Sequence, residues 1–79
     1  MGKILFVEGF PESYTDQRLY DFFAPFGPVV SARVVRGCTG ESLRFGFVEM
    51  ASEEEAARAQ QALHRTWLEG QSLIVTFSK

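Results

Sequence analysis

The chain has 79 residues, a formal net charge of −2 and a single cysteine, Cys38. This length fits one domain with a small hydrophobic core, and one cysteine with one histidine excludes both a disulfide framework and a cysteine–histidine zinc cluster. No apolar run reaches the ~20 residues of a transmembrane helix, and the N-terminal sequence is not that of a signal peptide. We therefore expect a nuclear or cytoplasmic protein with no metal, no cofactor and no membrane partner.

The first half of the chain predicts one strand and one helix. Residues 3–8 are typical of a strand that ends at the segment 9–11, where glycine and proline interrupt pairing. Thr15 is a good N-cap residue, and a helical apolar stripe follows it until Gly27 and Pro28 end the helix. The stripe consists of Leu19, Phe22, Phe23 and Phe26.

The second half predicts three strands and a helix. Residues 29–36 are β-branched, and the turn-forming segment 37–42 connects this second strand to a third over residues 43–50. Ser52 and Glu55 form a capping box at the start of the second helix, which carries a stripe of small residues. Residues 64–70 are predicted to be irregular, and the last strand is predicted over residues 71–78.

The element order β-α-β-β-α-β predicts an α+β, ferredoxin-like sandwich: a four-stranded antiparallel sheet with two helices packed on one face. Strand side chains alternate between the two faces of a sheet. The helix-covered face is assigned Leu5, Val7, Ala32, Val34, Val48, Met50, Leu73, Val75 and Phe77. The uncovered face then carries Phe6, Phe45 and Phe47, and an exposed aromatic patch on a small monomer marks a binding site.

Two of the predicted strands resemble motifs of the RNA-recognition motif (RRM) family. Residues 5–10, LFVEGF, resemble its hexamer, and residues 43–50, LRFGFVEM, resemble its octamer. The resemblance covers nearly the whole chain and implies that Phe6 and Phe47 each stack one base, while Phe45 packs against a sugar or between nucleotides. It implies one RRM domain over residues 1–79, which we expect to be excised from a longer chain. The last strand is similar in spacing to the uridine-preferring ELAV-like branch.

The chain departs from the family pattern at several positions. The basic residue that usually opens the octamer is Leu43, and the glycine that usually follows is Arg44, so the positive charge lies one residue later. Gln60 stands where the family usually has isoleucine, and His64-Arg65 stands for an Asn-Gly pair. We expect these changes to loosen packing or contacts without altering the three phenyl rings.

Charged residues complete the predicted site. Acidic residues concentrate in the two predicted helices, whereas most arginines lie in or beside strands. Arg33 shares the uncovered face with the rings and is expected to contact a phosphate or a base. Glu8 and Glu49 are expected there to accept hydrogen bonds from base amino groups, or alternatively to pair with Arg33. The other basic candidates are Arg36, Arg44 and Lys79.

These residues predict a monomeric, non-catalytic domain that binds single-stranded RNA with modest affinity and takes part in RNA processing. The alternative is a protein-interaction domain of the same fold that docks a peptide or a partner helix. Trp67 is a candidate for such a contact, although we expect it to form a lid on the core. No enzymatic activity and no small-molecule substrate are expected, because the chain has no asparagine for an acylphosphatase-like site and no nucleophile–base pair.

Overall fold

A computed structural model describes residues 2–78, in which two helices cover one face of a four-stranded antiparallel sheet. The elements in chain order are β1 (Ile4–Glu8), α1 (Asp16–Phe23), a 3₁₀ turn (Ala24–Phe26), β2 (Val29–Arg36), β3 (Ser42–Met50), α2 (Glu53–Leu63), β4 (Trp67–Leu68), β5 (Gln71–Ser72) and β6 (Ile74–Phe77). The strand order is β2-β3-β1-β6, and β4 pairs with β5 in a separate hairpin. The predicted ferredoxin-like fold is confirmed.

Side-chain caps define where both helices begin. The Thr15 hydroxyl accepts a hydrogen bond from the Arg18 N–H at 3.1 Å, and the Ser52 hydroxyl accepts one from the Glu55 N–H at 3.2 Å. α1 ends earlier than its apolar stripe predicts, and the chain continues as the 3₁₀ turn. Pro25 is the reason, because it has no N–H to continue the helical hydrogen bonds.

The hydrophobic core lies between the sheet and the helices. Its strand residues alternate with the uncovered face as predicted, and the small side chains of Ala56 and Ala59 let α2 lie close to the sheet. The strand residues buried there are Leu5, Val7, Val34, Val48, Met50 and Val75, and Leu73 between β5 and β6 is buried with them. Ala32 and Phe77 pack at the margin of this core and are partly buried.

The prediction for the segment between α2 and β6 is wrong. Instead of an irregular loop and one continuous strand, the chain forms the β4–β5 hairpin around Glu69 and Gly70, whose φ angles are 44° and 91°. Positive φ at both central residues is typical of a type I′ turn. The Glu-Gly pair found here is a weaker sequence signal for this turn than Asn-Gly would be. Leu73 interrupts the last strand, because its N–H donates to the Thr66 carbonyl at 2.7 Å.

Helix side chains hydrogen-bond to both edge strands of the sheet. Asp16 accepts from the Val34 N–H of β2 at 2.7 Å. On β6, the Val75 N–H donates to Nδ1 of His64 at 3.1 Å, and Nε2 of Gln60 donates to the Val75 carbonyl at 2.9 Å. The expectation that Gln60 and His64 loosen the packing is therefore wrong, since they join the C-terminal end of α2 to the outward-facing N–H and carbonyl of Val75 on an edge strand.

Candidate nucleic-acid interface

Phe6, Phe45 and Phe47 lie together on the uncovered face of the sheet and are called the phenyl cluster below. The Phe6 ring is central, with its centroid 5.6 Å from that of Phe45 and 5.5 Å from that of Phe47. Phe6 and Phe45 are half-buried by their neighbours, whereas Phe47 keeps 38% of its surface exposed. The structure thus brings the three rings side by side, as strand alternation predicts.

The register of the strands places the phenyl cluster within three rows of side chains that cross the sheet. Phe6 is paired directly with Phe47, and Phe47 with Arg33, so these residues share the middle row. The complete middle row is Thr76, Phe6, Phe47 and Arg33. The row on one side is Ile74, Glu8 and Phe45, and the row on the other is Ile4, Glu49 and Ser31.

Charged groups flank the rings in this arrangement. Arg33 is exposed at the β2 end of the middle row, and the carboxylates of Glu8 and Glu49 occupy the rows on either side. Both predicted roles of these carboxylates, acceptance of hydrogen bonds from base amino groups and pairing with Arg33, stay predictions, since the register places Glu8 and Glu49 in the rows on either side of the middle row that contains Arg33. One guanidinium and two carboxylates therefore flank the phenyl cluster.

Arg44 lies at a bulge where β3 passes the end of β1. Its φ is 65°, a left-handed conformation that favours glycine, and the β2–β3 register shifts between Val34 and Arg36. The bulge is held from both sides, because the Arg44 N–H donates to the Ser42 hydroxyl and the Arg44 carbonyl accepts from the Gly9 N–H, each at 3.1 Å. The side chain of Arg44 is exposed.

The remaining basic candidates differ in their surroundings. The Arg36 guanidinium donates to the Gly40 carbonyl at 3.3 Å and to the Tyr14 carbonyl at 3.5 Å, so it joins the β2–β3 loop to the segment before α1. In the same loop, a hydrogen bond from the Thr39 hydroxyl lowers the pKa of the Glu41 carboxyl. Lys79 lies outside the described residues.

Trp67 does not form the predicted lid on the core. Its side chain is 69% exposed on β4, and Leu68 beside it packs against the core instead. Recognising the Glu69-Gly70 turn would have predicted a strand at Trp67 and Leu68. Alternation along that strand would then have placed one of the two side chains in the core and the other in solvent.

Within residues 2–78, no helix is long and apolar enough to cross a membrane, and no three metal-ligating side chains come together. The same residues form no enclosed pocket.

Comparison with known proteins identifies the family. The model of the RNA recognition motif matches residues 5–74. The cytoplasmic and nuclear polyadenylate-binding protein of Eremothecium gossypii is 38% identical over 78 residues, which are 99% of this chain but 13% of that protein's length. The protein in the structure of the Sxl-lethal protein–RNA complex is 30% identical, with a TM-score of 0.95, and the match covers all of this chain and 48% of that protein's chain. The RNA-binding protein PG1 is 35% identical, with a TM-score of 0.89 over 94% of this chain and 90% of its own. The chain belongs to the RNA recognition motif family.

Proposed function

We propose that this domain binds single-stranded RNA across the uncovered face of its sheet by stacking bases on the phenyl cluster. One observation carries the proposal: three phenyl rings lie within 5.6 Å of a neighbouring ring on the sheet face that the helices leave open. Aromatic side chains on the open sheet are how domains of this kind hold single-stranded bases. The names of the similar proteins, which bind polyadenylate or RNA, support the same ligand.

The register suggests a division of roles within the phenyl cluster. Phe6 and Phe47 are paired across β1 and β3 and offer adjacent stacking positions, one base on each ring. Phe45 lies in the next row and packs against a sugar or between nucleotides. Because the Phe6 ring is supported by a ring on either side, its orientation is set before RNA arrives, which lowers the entropic cost of binding.

The charged residues add positioning and selectivity. Arg33, at the end of the middle row, contacts a phosphate or a base edge, and Arg44 contacts the backbone of a nucleotide near the bulge. Glu8 and Glu49 accept hydrogen bonds from base amino groups, which adenine and cytosine carry and uracil lacks. Arg36 contributes to binding indirectly, because its guanidinium holds the β2–β3 loop in position. Lys79 adds a further positive charge.

The affinity of such a site is modest. Two stacked bases contribute about 1–3 kcal/mol each, and this sum must offset an association cost of several kcal/mol, so micromolar or weaker binding is expected. With about 2–4 phosphate contacts, log K falls with log salt by about 0.7 per contact. A protein that contains companion domains would gain affinity through linkage.

We place this domain, residues 1–79, in a longer, non-catalytic protein of the nucleus or cytoplasm that acts in RNA processing. The chain spans about an eighth of the polyadenylate-binding relative, whose name includes both compartments. The similarity of the last strand to the ELAV-like branch stays a prediction.

Titration of the 79-residue chain with oligoadenylate and oligouridylate, followed by the amide NMR signals of Phe6 and Phe47, tests the proposal. We expect Phe47→Ala to weaken binding by about fivefold or more, because one stacking position is lost. Tyr20→Ala is a matched control, since Tyr20 on α1 is 40% exposed and Phe47 is 38% exposed. No shift at millimolar RNA would overturn the proposal, and binding of a peptide that is unaffected by Phe47→Ala would favour the alternative of a protein-docking domain.

A further inference from the structure

Trp67 has the largest exposed fraction among the large apolar side chains of residues 2–78, and the phenyl cluster does not include it. Its neighbour Leu68 packs against the core, and adjacent side chains of a strand point to opposite faces. The indole therefore projects away from the hydrophobic core. An exposed tryptophan of this kind is not needed for the packing of the domain.

The pairing of the hairpin relates Trp67 to the uncovered face of the main sheet. Trp67 is paired with Ser72, and directly paired residues share a face. Ser72 precedes Leu73, which is fully within the core, and Ile74, which lies in the row of Glu8 and Phe45. Leu73 lies between the hairpin and β6, hydrogen-bonds to Thr66 and is buried in the core, so Ser72, and with it Trp67, lies on the side of the hairpin opposite the core, two residues before Ile74.

Gly9 shows that the hairpin directly adjoins the end of β1. A Cβ atom at Gly9 would lie 2.5 Å from the Ser72 carbonyl oxygen, so the two backbones are in contact there. On its other side, the Gly9 N–H donates to the Arg44 carbonyl. The backbone segments at Arg44, Gly9 and Ser72, the partner of Trp67, are thus in direct contact at the end of β1.

We propose that Trp67 is a further base-stacking residue, which extends the RNA site from the phenyl cluster onto the β4–β5 hairpin; this rests on the function proposed above. An indole presents a large face for any base, and stacking on it is tolerant of sequence. Two exposed arginines belong to neighbouring segments, Arg65 two residues before Trp67 and Arg44 hydrogen-bonded to Gly9, while Glu69 lies at the hairpin tip. Continuity with the phenyl cluster and these two guanidiniums favour another nucleotide of the same strand over a peptide.

Trp67 reports on its own role, because it is the only tryptophan in the chain. We would titrate the 79-residue protein with a trinucleotide, which spans only the phenyl cluster, and with an oligonucleotide of about eight nucleotides, in oligoadenylate and oligouridylate series. The longer oligonucleotide is expected to quench the fluorescence of Trp67, and the trinucleotide is not. Trp67→Ala is expected to weaken binding of the longer oligonucleotide by about fivefold or more and to leave the trinucleotide unaffected, whereas Trp67→Phe retains most of the affinity.

The controls separate this inference from the proposed function. Phe47→Ala should weaken binding of both oligonucleotides, and Tyr20→Ala of neither. Suppose that Phe47→Ala weakens binding, that Trp67→Ala binds the longer oligonucleotide as tightly as the wild type does, and that this oligonucleotide does not quench the fluorescence of Trp67 in the wild type. The role of Trp67 is then overturned and the proposed function stands. If the wild type binds neither oligonucleotide at millimolar concentration, both proposals are overturned.

Discussion

The two faces of the sheet are made by the same strands and have opposite properties. Along β1, Leu5 and Val7 are completely buried beneath the helices, whereas Ile4 is 42% exposed and Phe6 lies half-buried in the phenyl cluster. The two faces therefore differ by one step along the backbone, and a one-residue change of register would exchange them. Because core and site share their strands, the burial of one face holds the other in place.

The two faces also differ in backbone strain and in how their margins are closed. The covered face is closed at both edge strands by helix side chains, Asp16 on β2 and the Gln60–His64 pair on β6. Near β3, the uncovered face is bordered by Arg44, a non-glycine residue whose backbone has a conformation that favours glycine. Stability is thus concentrated on the covered side, and strain occurs beside the proposed site.

The largest expected effect is a difference in stability loss between two adjacent residues of β1, one on each face of the sheet. Leu5→Ala should lower the free energy of unfolding by about 2–5 kcal/mol, because it leaves a cavity in the core. Ile4→Ala, one residue earlier on the uncovered face, should cost less than about 1 kcal/mol. Urea denaturation of both variants measures the difference, and equal losses would contradict the assignment of the two faces.

The second prediction concerns the edge strand β6, where Gln60 and His64 hydrogen-bond to the backbone of Val75. Replacing both Gln60 and His64 with alanine should lower the free energy of unfolding by about 1–3 kcal/mol, since two hydrogen bonds to the backbone of Val75 are lost. Hydrogen exchange of the Val75 amide should accelerate at the same time. Gln61→Ala is the control, because Gln61 is exposed on the same helix. Unchanged exchange at Val75 in the double variant would show that these side chains do not hold the edge.

The smallest expected effect is a gain in stability at the strained position. Arg44→Gly should raise the free energy of unfolding by up to about 1 kcal/mol, because glycine adopts φ near 65° without steric cost. The same change should make the salt slope of RNA binding shallower by about 0.7, if Arg44 contacts one phosphate.

Arg44→Lys is the matched control for this change. It keeps the positive charge and the strain, so stability and salt slope should both stay close to those of the wild type. A loss of stability in Arg44→Gly would mean that the Arg44 side chain stabilises the bulge, and the strain argument would then be wrong.

The parts of the fold that could be predicted are those governed by local rules. The caps at Thr15 and Ser52 and the alternation in β1 and β3 act within a few residues, so their outcome follows from the sequence. Gln60 and His64 could not be assigned, because their partner, Val75, lies 15 and 11 residues away. Trp67 was misplaced for a related reason, since its face depends on a turn and on pairing with Ser72.

By itself the amino-acid sequence determined the order of the main strands and helices, the two alternating faces and the identity of the three phenyl rings, because these follow from the periodicity of side chains along a strand or helix. Only the tertiary structure decided which polar side chains close the sheet edges, that Arg36 holds two loops, that Arg44 bends the backbone at a bulge and that Trp67 is exposed. Each of those depends on contacts between segments distant in the chain, where the geometry of packing outweighs local preference.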